Sequence, residues 1–383
     1  MEIKNLKKVA RRLKKAIFHK ERIILFGDSD LDGTTSVLLL EETLKNLGAQ
    51  NLLVYFSEWE NEDYGLNKSA LQFLKSFAPA LLVVLDCGIG NFEEIKIAEA
   101  LGFSTIIVDH HEILGKVPAA DIVVDPKQKG DLYPFKQLTT VCLIYQLSQI
   151  LTGKGISPVV KQGFSELAAL GIVADMMPEK DLNAELLRMG STSIRETLRP
   201  GFLAIIRAAD LTYNSPREIF QKLTVILNIT KVKNHLTDSY LLLKESSWEA
   251  AMDLAKDLIR QAKSRNQDII QITEEVSKRV ENSSAPIIFE GDSQWPRVFS
   301  GAVASRICNK YKKPTFIFKK GIEKSRGSVR TAYGLDAVAA LKTCSAFLTM
   351  YGGHPPAAGF TVLNENIDKL KKCLESYFFN LER

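Results

Sequence analysis

Arg22-Ile-Ile-Leu-Phe-Gly-Asp28-Ser-Asp30-Leu-Asp32-Gly33-Thr-Thr-Ser36 decides how the rest of the chain is read. An apolar run of strand character stops at three aspartates in alternate positions. A helical spacing then begins with Val37, Leu38, Leu40, Leu44 and Leu47. Carboxylates crowded at one strand end repel one another and lose hydration unless positive charge sits among them. Hard divalent cations take oxygen ligands, so a metal site is the first reading. A solvated acidic turn is the plain alternative, and residues further along decide against it.

Asp-x-Asp-x-Asp-Gly is also how a calcium EF-hand loop begins. That loop needs a bidentate glutamate at its twelfth position, which is Leu39 here, and a helix rather than a strand before it. Asp30-Leu-Asp32-Gly33-Thr34 also resembles the phosphatase loop of the haloacid dehalogenase superfamily. There the strand runs straight into the first aspartate, whereas Gly27-Asp28-Ser29 intervenes here.

A chain of 383 residues with 45% hydrophobic content can bury real cores, and its length favours two or three domains. Cys87, Cys142, Cys308, Cys344 and Cys373 are scattered with no C-x-x-C pair. That spacing argues for a reducing compartment and against a disulfide framework or a structural zinc site. No apolar run approaches a membrane span, and the basic N-terminus lacks the apolar core of a signal peptide. A cytoplasmic protein with no membrane partner is expected. Net charge is only +5, yet residues 306–330 carry nine Lys or Arg against Glu323, and residues 1–22 carry nine against Glu2 and Glu21. Such stretches fit a polyanion, nucleic acid first, with ordinary solvated surface as the alternative.

Residues 3–19 space Ile3, Leu6, Val9, Ala10, Leu13, Ala16 and Ile17 as an amphipathic helix. Strands are predicted at 22–27, 52–56, 81–86, 104–109 and 121–125, and helices at 34–47, 67–77, 91–101 and 137–151. Such alternation indicates a parallel α/β sheet, in which ligands bind beyond the carboxyl ends of the strands. Those ends form a pattern: the aspartate triplet, then Asp86-Cys-Gly88, then Asp109-His110-His111. Asp175 adds a fourth acidic end, after an apolar stretch of helical character. A lone histidine is usually a satisfied core residue; two adjacent ones beside an acid at a strand end are not read that way.

These residues carry a resemblance. Asp28-x-Asp30-x-Asp32-Gly33, Asp86-x-Gly88, Asp109-His110-His111 and Asp175 look like the successive motifs of the DHH phosphoesterase superfamily. Gly27–Ser36, Tyr64-Gly-Leu-Asn67 and Gly171-Ile-Val-Ala-Asp-Met-Met-Pro178 are similar to RecJ-type single-strand exonucleases, in the right order from about residue 20 onward. Residues 190–280 lose the alternation, and Trp248–Ile272 has helical spacing. A new unit begins near Pro286 and contains Gly301-Ala-Val-Ala-Ser305-Arg306, a strand-like Pro314–Phe318, Gly327-Ser328-Val-Arg330 and Tyr351-Gly352-Gly353-His354. Alone, Gly352-Gly353 reads as a tight turn; with the resemblance, this part looks like the DHH-associated domain, whose Gly-Gly-His loop contacts substrate phosphate.

The resemblance implies an α/β fold: a parallel-sheet catalytic domain (1–190), a helical connector (191–280) and a smaller α/β substrate-binding domain (281–383), with a cleft between. It also implies metal-dependent phosphodiester hydrolysis of single-stranded nucleic acid, DNA ahead of RNA, by 5′→3′ release of mononucleotides in DNA repair and recombination. Two divalent cations, Mn²⁺ or Mg²⁺, are expected on Asp28, Asp30, Asp86, His110 and Asp175, with Asp86 as the bridge. Asp32 ligates or supports, Asp109 orients the histidines, and His111 touches the scissile phosphate. Arg306, Gly327, Ser328, Arg330, Gly352, Gly353 and His354 hold substrate. Three features depart from the pattern. Trp295-Pro296-Arg297-Val298 replaces Trp-His-x-Gly, Ser29 stands where tyrosine is usual, and an appended OB-type domain is expected to be missing, which weakens the expectation of processive binding. A phosphodiesterase for short oligonucleotides or cyclic dinucleotides is the alternative. An inactive scaffold like the Cdc45 replication proteins is disfavoured because every acidic motif is intact. Replication or repair proteins are expected as partners.

Overall fold

Ile23-Ile-Leu-Phe-Gly27 offers water no polar side chain, and it forms a strand buried on both faces, β1 (Ile23–Gly27). The computed structural model describes residues 2–58, 65–113, 115–153, 155–212, 215–228, 231–332 and 334–381. Tyr64, quoted above for the resemblance, lies outside the described residues. Two units make up the chain, Met1–Ala262 and Lys263–Arg383. The expected connector, 191–280, is divided between them.

In the first unit, α1 (Leu6–Phe18) precedes β1, and α2 (Leu31–Asn46) follows it. Next come β2 (Leu52–Phe56), α3 (Lys68–Leu74), β3 (Ala80–Leu85), α4 (Phe92–Ala100), β4 (Phe103–Val108), β5 (Ile122–Val124), α5 (Thr140–Thr152) and α6 (Pro158–Ala174). All five strands pair in parallel, in the order β2-β1-β3-β4-β5. Alternate strand residues face opposite layers. Ile23, Leu25, Leu81, Val83, Ile106 and Val108 pack beneath α1, α2, α5 and α6. Ile24, Phe26, Leu82, Val84 and Ile107 meet Ala70, Leu71 and Leu74 of α3 and Ile95 and Ala98 of α4. Each such side chain contributes about 1.5–3 kcal/mol on burial, so the sheet is a rigid platform.

A helical layer completes the unit: α7 (Asp181–Ser193), α8 (Pro200–Ala208), α9 (Pro216–Leu227), a hairpin of β6 (Val232–Lys233) and β7 (Leu236–Thr237), then α10 (Asp238–Lys244). α2 is tied to α10 by a buried polar knot. The Tyr240 hydroxyl donates to Glu41 Oε2 at 2.6 Å, and Lys244 Nζ reaches Glu41 Oε1 at 2.8 Å. Burial pushes the Glu41 carboxyl up, but Lys244, Lys45 and Tyr240 outweigh it and hold the group below its ordinary range. The first unit ends inside α11 (Trp248–Val280), whose Ala251, Ala255 and Leu258 join its core.

In the second unit, Ile269, Ile272, Val276 and Val280 of α11 pack on Trp295, Val303, Ala304 and Ile307. β8 (Ile288–Asp292), α12 (Ser300–Tyr311), β9 (Thr315–Lys320), β10 (Lys324–Arg330), α13 (Ala337–Thr343), β11 (Leu348–His354), β12 (Ala357–Leu363) and α14 (Ile367–Leu381) follow in order. The sheet order is β11-β12-β10-β9-β8. One face of it packs Val329, Phe316, Phe318, Ala358 and Phe360 against α13 and α14. Two cysteines correct the sequence reading. Cys344, at the end of α13, is disulfide-bonded to Cys373 of α14, 29 residues away, while Cys87, Cys142 and Cys308 are free and buried. The sequence spacing hid this pair because helix packing, not chain proximity, brings the sulfurs together. Among the described residues no helix is long and apolar enough to cross a membrane.

Candidate metal centre

The parallel register writes one row of polar residues across the first sheet. Gly27 pairs with Leu85, Leu85 with Val108, and Val108 with Val124. One residue further on, at the carboxyl ends, stand Asp28, Asp86, Asp109 and Asp125. Their backbone N–H groups extend the ladder, Asp28 to the Leu85 carbonyl, Asp86 to Val108 and Asp109 to Val124, at 3.2, 3.0 and 3.0 Å. Neighbouring strands lie about 4.8 Å apart, which sets the spacing of the carboxylates along this row. Asp28, Asp86, Asp109 and Asp125 are each at most 1% exposed.

Local chemistry aims the remaining groups at the same place. Asp30 N-caps α2, its carboxylate accepting from the Gly33 N–H at 3.0 Å. Asp32, in the first turn, accepts from the first N–H groups of α5, Thr140 at 2.7 Å and Val141 at 3.0 Å. The Thr140 hydroxyl donates to Asp86 Oδ1 at 2.9 Å. Asp86 holds a left-handed backbone, φ 63°, a conformation that costs a non-glycine residue about 1–3 kcal/mol and tends to mark function. Asp175 caps the end of α6, and glycine at 171 lets that helix approach: a Cβ there would come 2.9 Å from Asp32 Oδ1.

His110 Nε2 lies 3.3 Å from Asp86, 3.5 Å from Asp175 and 3.7 Å from Asp32. Both oxygens of Asp109 are already taken. One accepts from the His110 and His111 N–H groups and from His111 Nδ1 at 2.8 Å, the other from Ile89 N–H. Burial alone would raise the Asp109 carboxyl, but His111 and these donors bring it down to about 2. Burial would depress His111, yet Asp109 beside it lifts the imidazole to about 9. The two form a carboxylate–imidazolium pair.

Elsewhere burial wins. It raises Asp32 to about 7 with help from Asp30, and it raises Asp86 and Asp175 strongly, with Asp32 the next cause for both. Carboxylates crowded into one buried place are a deficit of positive charge. Ligand atoms of Asp28, Asp30 and Asp86 lie within 4.8 Å of one another, as do those of Asp32, His110 and Asp175. Asp175 Oδ2, buried, accepts no hydrogen bond among the described residues. Oxygen donors with one imidazole suit Mn²⁺ or Mg²⁺, so the residues present fit the expected cations.

Gly33 makes the turn possible. A Cβ there would come 2.3 Å from the Asp28 carbonyl oxygen. Gly33→Ala is expected to lower the melting temperature by about 5 °C, as overpacking does, and to weaken Mn²⁺ binding measured by calorimetry. Unchanged metal affinity would show that the turn does not set the Asp28–Asp30 spacing.

Asp125 escaped the sequence reading, although it ends a predicted strand as Asp28, Asp86 and Asp109 do. Burial and Asp109 raise it to about 7, and its Oδ1 accepts from the Lys127 N–H at 2.7 Å. Lys127 also bonds the His110 carbonyl and pairs with Glu112 at 3.1 Å. Thr140 was missed because nothing in its neighbours announces the α5 N-terminus as a partner of Asp32.

In the second unit the register sorts the expected substrate residues. Ser328, Arg330 and His354 point away from the core formed by Val329, Ala358 and Phe360, and Gly352 opposite Gly359 leaves that face bare. Gly301 of α12 lies against the same group: a Cβ there would sit 2.8 Å from Arg330 Nη2 and 3.6 Å from Ser328 Oγ. Gly352-Gly353 is the end of strand β11 rather than a loop; the turn falls at Pro355-Pro356. Gly327 faces the core side, where its missing Cβ spares Phe318. Arg306 bonds Asn266 at 2.5 Å.

Residues 22–172 match the DHH family, N-terminal domain, and residues 284–380 match the DHHA1 domain. The chain is 32% identical over 382 residues to the single-stranded-DNA-specific exonuclease RecJ of Bacillus subtilis (strain 168), covering 97% of this chain and 48% of that one. It thus spans about half the length of that curated relative. Among solved structures it is similar to RecJ in complex with Mn²⁺ from Thermus thermophilus, with TM-score 0.84, 25% identity, and 99% of this chain against 55% of that one. A crystal structure of exonuclease RecJ bound to manganese gives TM-score 0.79 and 25% identity, over 99% of this chain and 95% of the other. With both domains matched in order, the chain belongs to the DHH family, its N-terminal domain followed by a DHHA1 domain.

Proposed function

We propose that the chain hydrolyses phosphodiester bonds of single-stranded nucleic acid, DNA ahead of RNA, releasing mononucleotides in the 5′→3′ direction. The observation that carries the reading is the row Asp28–Asp86–Asp109–Asp125, with Asp30, Asp32, His110 and Asp175 gathered on it. The likeness to proteins named single-stranded-DNA-specific exonucleases supports it.

Asp28, Asp30 and Asp86 would hold one cation and Asp32, His110 and Asp175 another, with Asp86 shared through its short approach to His110. Cations held there would supply the positive charge that lowers the pKa of an attacking water and stabilises the phosphate as it reacts. The chain's own residues do the rest. Thr140 fixes the Asp86 carboxylate through its hydroxyl. The α5 N-terminus holds Asp32 with two N–H donors. Asp109 keeps His111 charged and oriented, so that an imidazolium faces a phosphate oxygen as negative charge grows there. In the second unit, Ser328, Arg330 and His354 line the bare face beside Gly352 and Gly359, and we assign them to a terminal 5′ phosphate. We further propose that the chain acts in the cytoplasm, with replication or repair proteins as its partners.

The test is incubation with Mn²⁺ and single-stranded DNA, RNA, a dinucleotide and a cyclic dinucleotide, each strand labelled at either end in turn. Early release of a labelled 5′ nucleotide from DNA is expected. Early loss of the 3′ label overturns the polarity, and turnover of the dinucleotides alone overturns the strand-length reading.

A further inference from the structure

The outward face of α1 has no part in the chemistry above, and its composition needs a reason. Leu6, Val9, Ala10, Leu13 and Ala16 are buried in the main core, so the helix is already packed. What remains outside is Lys4, Lys7, Lys8, Arg11, Lys14 and Lys15, all exposed. Lys7 pairs with Glu2, and Arg12, on the flank, with Glu21. Lys8, Arg11, Lys14 and Lys15 make no ion pair among the described residues. At 1.5 Å per residue the helix presents this charge over roughly 20 Å. Phe18, 82% exposed, stands at its far end with its ring against His19, 5.2 Å between centroids.

The near end is fastened to the metal centre's edge of the sheet. Lys4 N–H donates to Asp131 Oδ2 at 2.7 Å, Lys4 Nζ to the Lys129 carbonyl at 2.7 Å, and Asn5 Nδ2 to the Val123 carbonyl at 2.8 Å. These partners belong to β5 and to the loop that begins at Asp125, the last member of the aspartate row. The same loop carries Lys127, bonded to the carbonyl of His110. Beyond Lys127, which is paired with Glu112, positive side chains follow one another outward from the metal centre: Lys129, Lys4, Lys8, Arg11, Lys15. The nearby acid Asp131 is neutralised by Lys136 at 2.7 Å.

We infer that this face of α1 is a binding track for the phosphate backbone of a single strand, leading away from the metal centre along the first unit. The inference rests on the proposed hydrolysis of single strands. Charge complementarity selects the occupant: a row of cations takes a row of phosphates, and Phe18 offers a ring on which a base stacks. A membrane surface would need an apolar helix face to insert, and that face is spent on the core.

The experiment measures binding of the full chain to a labelled single strand of about 30 nucleotides, several binding sites long, by anisotropy across a salt series. Chelator is present, so that hydrolysis and the metal centre do not contribute. The fourfold variant Lys8→Gln, Arg11→Gln, Lys14→Gln, Lys15→Gln is expected to weaken binding about tenfold or more. It should also flatten the salt slope by roughly 0.7 for each phosphate that is no longer held. Lys129→Gln alone should remove about one phosphate's worth. An unchanged slope in the fourfold variant overturns the track, as does a wild type that ignores the strand in chelator. Vesicles of anionic lipid are run in parallel; α1-dependent binding to them without α1-dependent binding to the strand also overturns it. A wild type that shows the α1-dependent slope yet fails to cut with Mn²⁺ leaves the track standing and removes the hydrolytic reading instead.

Discussion

Asp86→Asn is expected to lower phosphodiester hydrolysis at least about a thousandfold while raising the melting temperature of the metal-free protein. Asparagine keeps the size of the side chain and tolerates the left-handed backbone that this position requires, so the fold is not the variable. What is lost is one negative charge buried beside Asp32, Asp30, Asp28 and Asp175, the groups that push the Asp86 carboxyl up after burial itself. Without cations that charge is a burden, and its removal relieves the cluster. With cations it would be the group shared by the two proposed ligand sets, and its removal would cripple both. Chelation should therefore lower the wild-type melting temperature clearly and that of the variant little. Calorimetry with and without chelator reads this directly, and equal sensitivity in both proteins would sink the shared-ligand role.

The second large effect is in the pH dependence of the metal-free protein. Asp32 is raised from the ordinary 3.8 to about 7, and Asp86 and Asp175 are raised well above it. A carboxyl raised in the folded state is comfortable neutral, so its contribution is intact below about 4 and is lost as pH climbs through 7. His111, raised from 6.5 to about 9, acts in the same direction, its stabilisation fading between those values. Asp109, lowered to about 2, acts oppositely and loses its share as pH falls from 3.8 toward 2. Metal-free stability should consequently peak near pH 4–6 and fall toward pH 8–9 by on the order of 10 °C in melting temperature, the scale of an uncompensated buried charge. Saturating Mn²⁺ should abolish most of that fall, since cations replace protons as the counter-charge. A flat profile in chelator would mean the cluster is solvated and is not a cation site.

The fold and much of the cluster were legible because their signals are local. An apolar run ending in an acid states both a strand and its carboxyl edge, and Asp28, Asp86 and Asp109 were found that way. Asp125 obeys the same rule, but Pro126-Lys127 follows it where Gly88 or His110-His111 marks the other strand ends. Other features are made by tertiary contact alone. The capture of Asp32 by the first turn of α5 joins residues 108 apart, and the Cys344–Cys373 bridge needs α14 to pack on α13. The strand position of Gly352-Gly353 depends on a partner, since only Gly359 and Ala358 across the ladder make two glycines an extended edge instead of a turn. The bond from the Arg306 guanidinium to Asn266, 40 residues away, is likewise made by tertiary contact alone.

The aspartate row has one further implication, for how the protein is assembled. Its carboxylates do not come from loops that could adjust independently; they are the next residue after the last paired one on four adjoining strands. Sliding β3 by a single position would put Leu85 or Cys87 where Asp86 stands and turn its neighbours to the opposite layer. Strand alignment is thus checked twice, once by the apolar layers and once by the row itself. A misaligned sheet would present a broken set of donors and could not be rescued by adding metal. Cations arriving during refolding would then select correctly threaded molecules without having directed the threading.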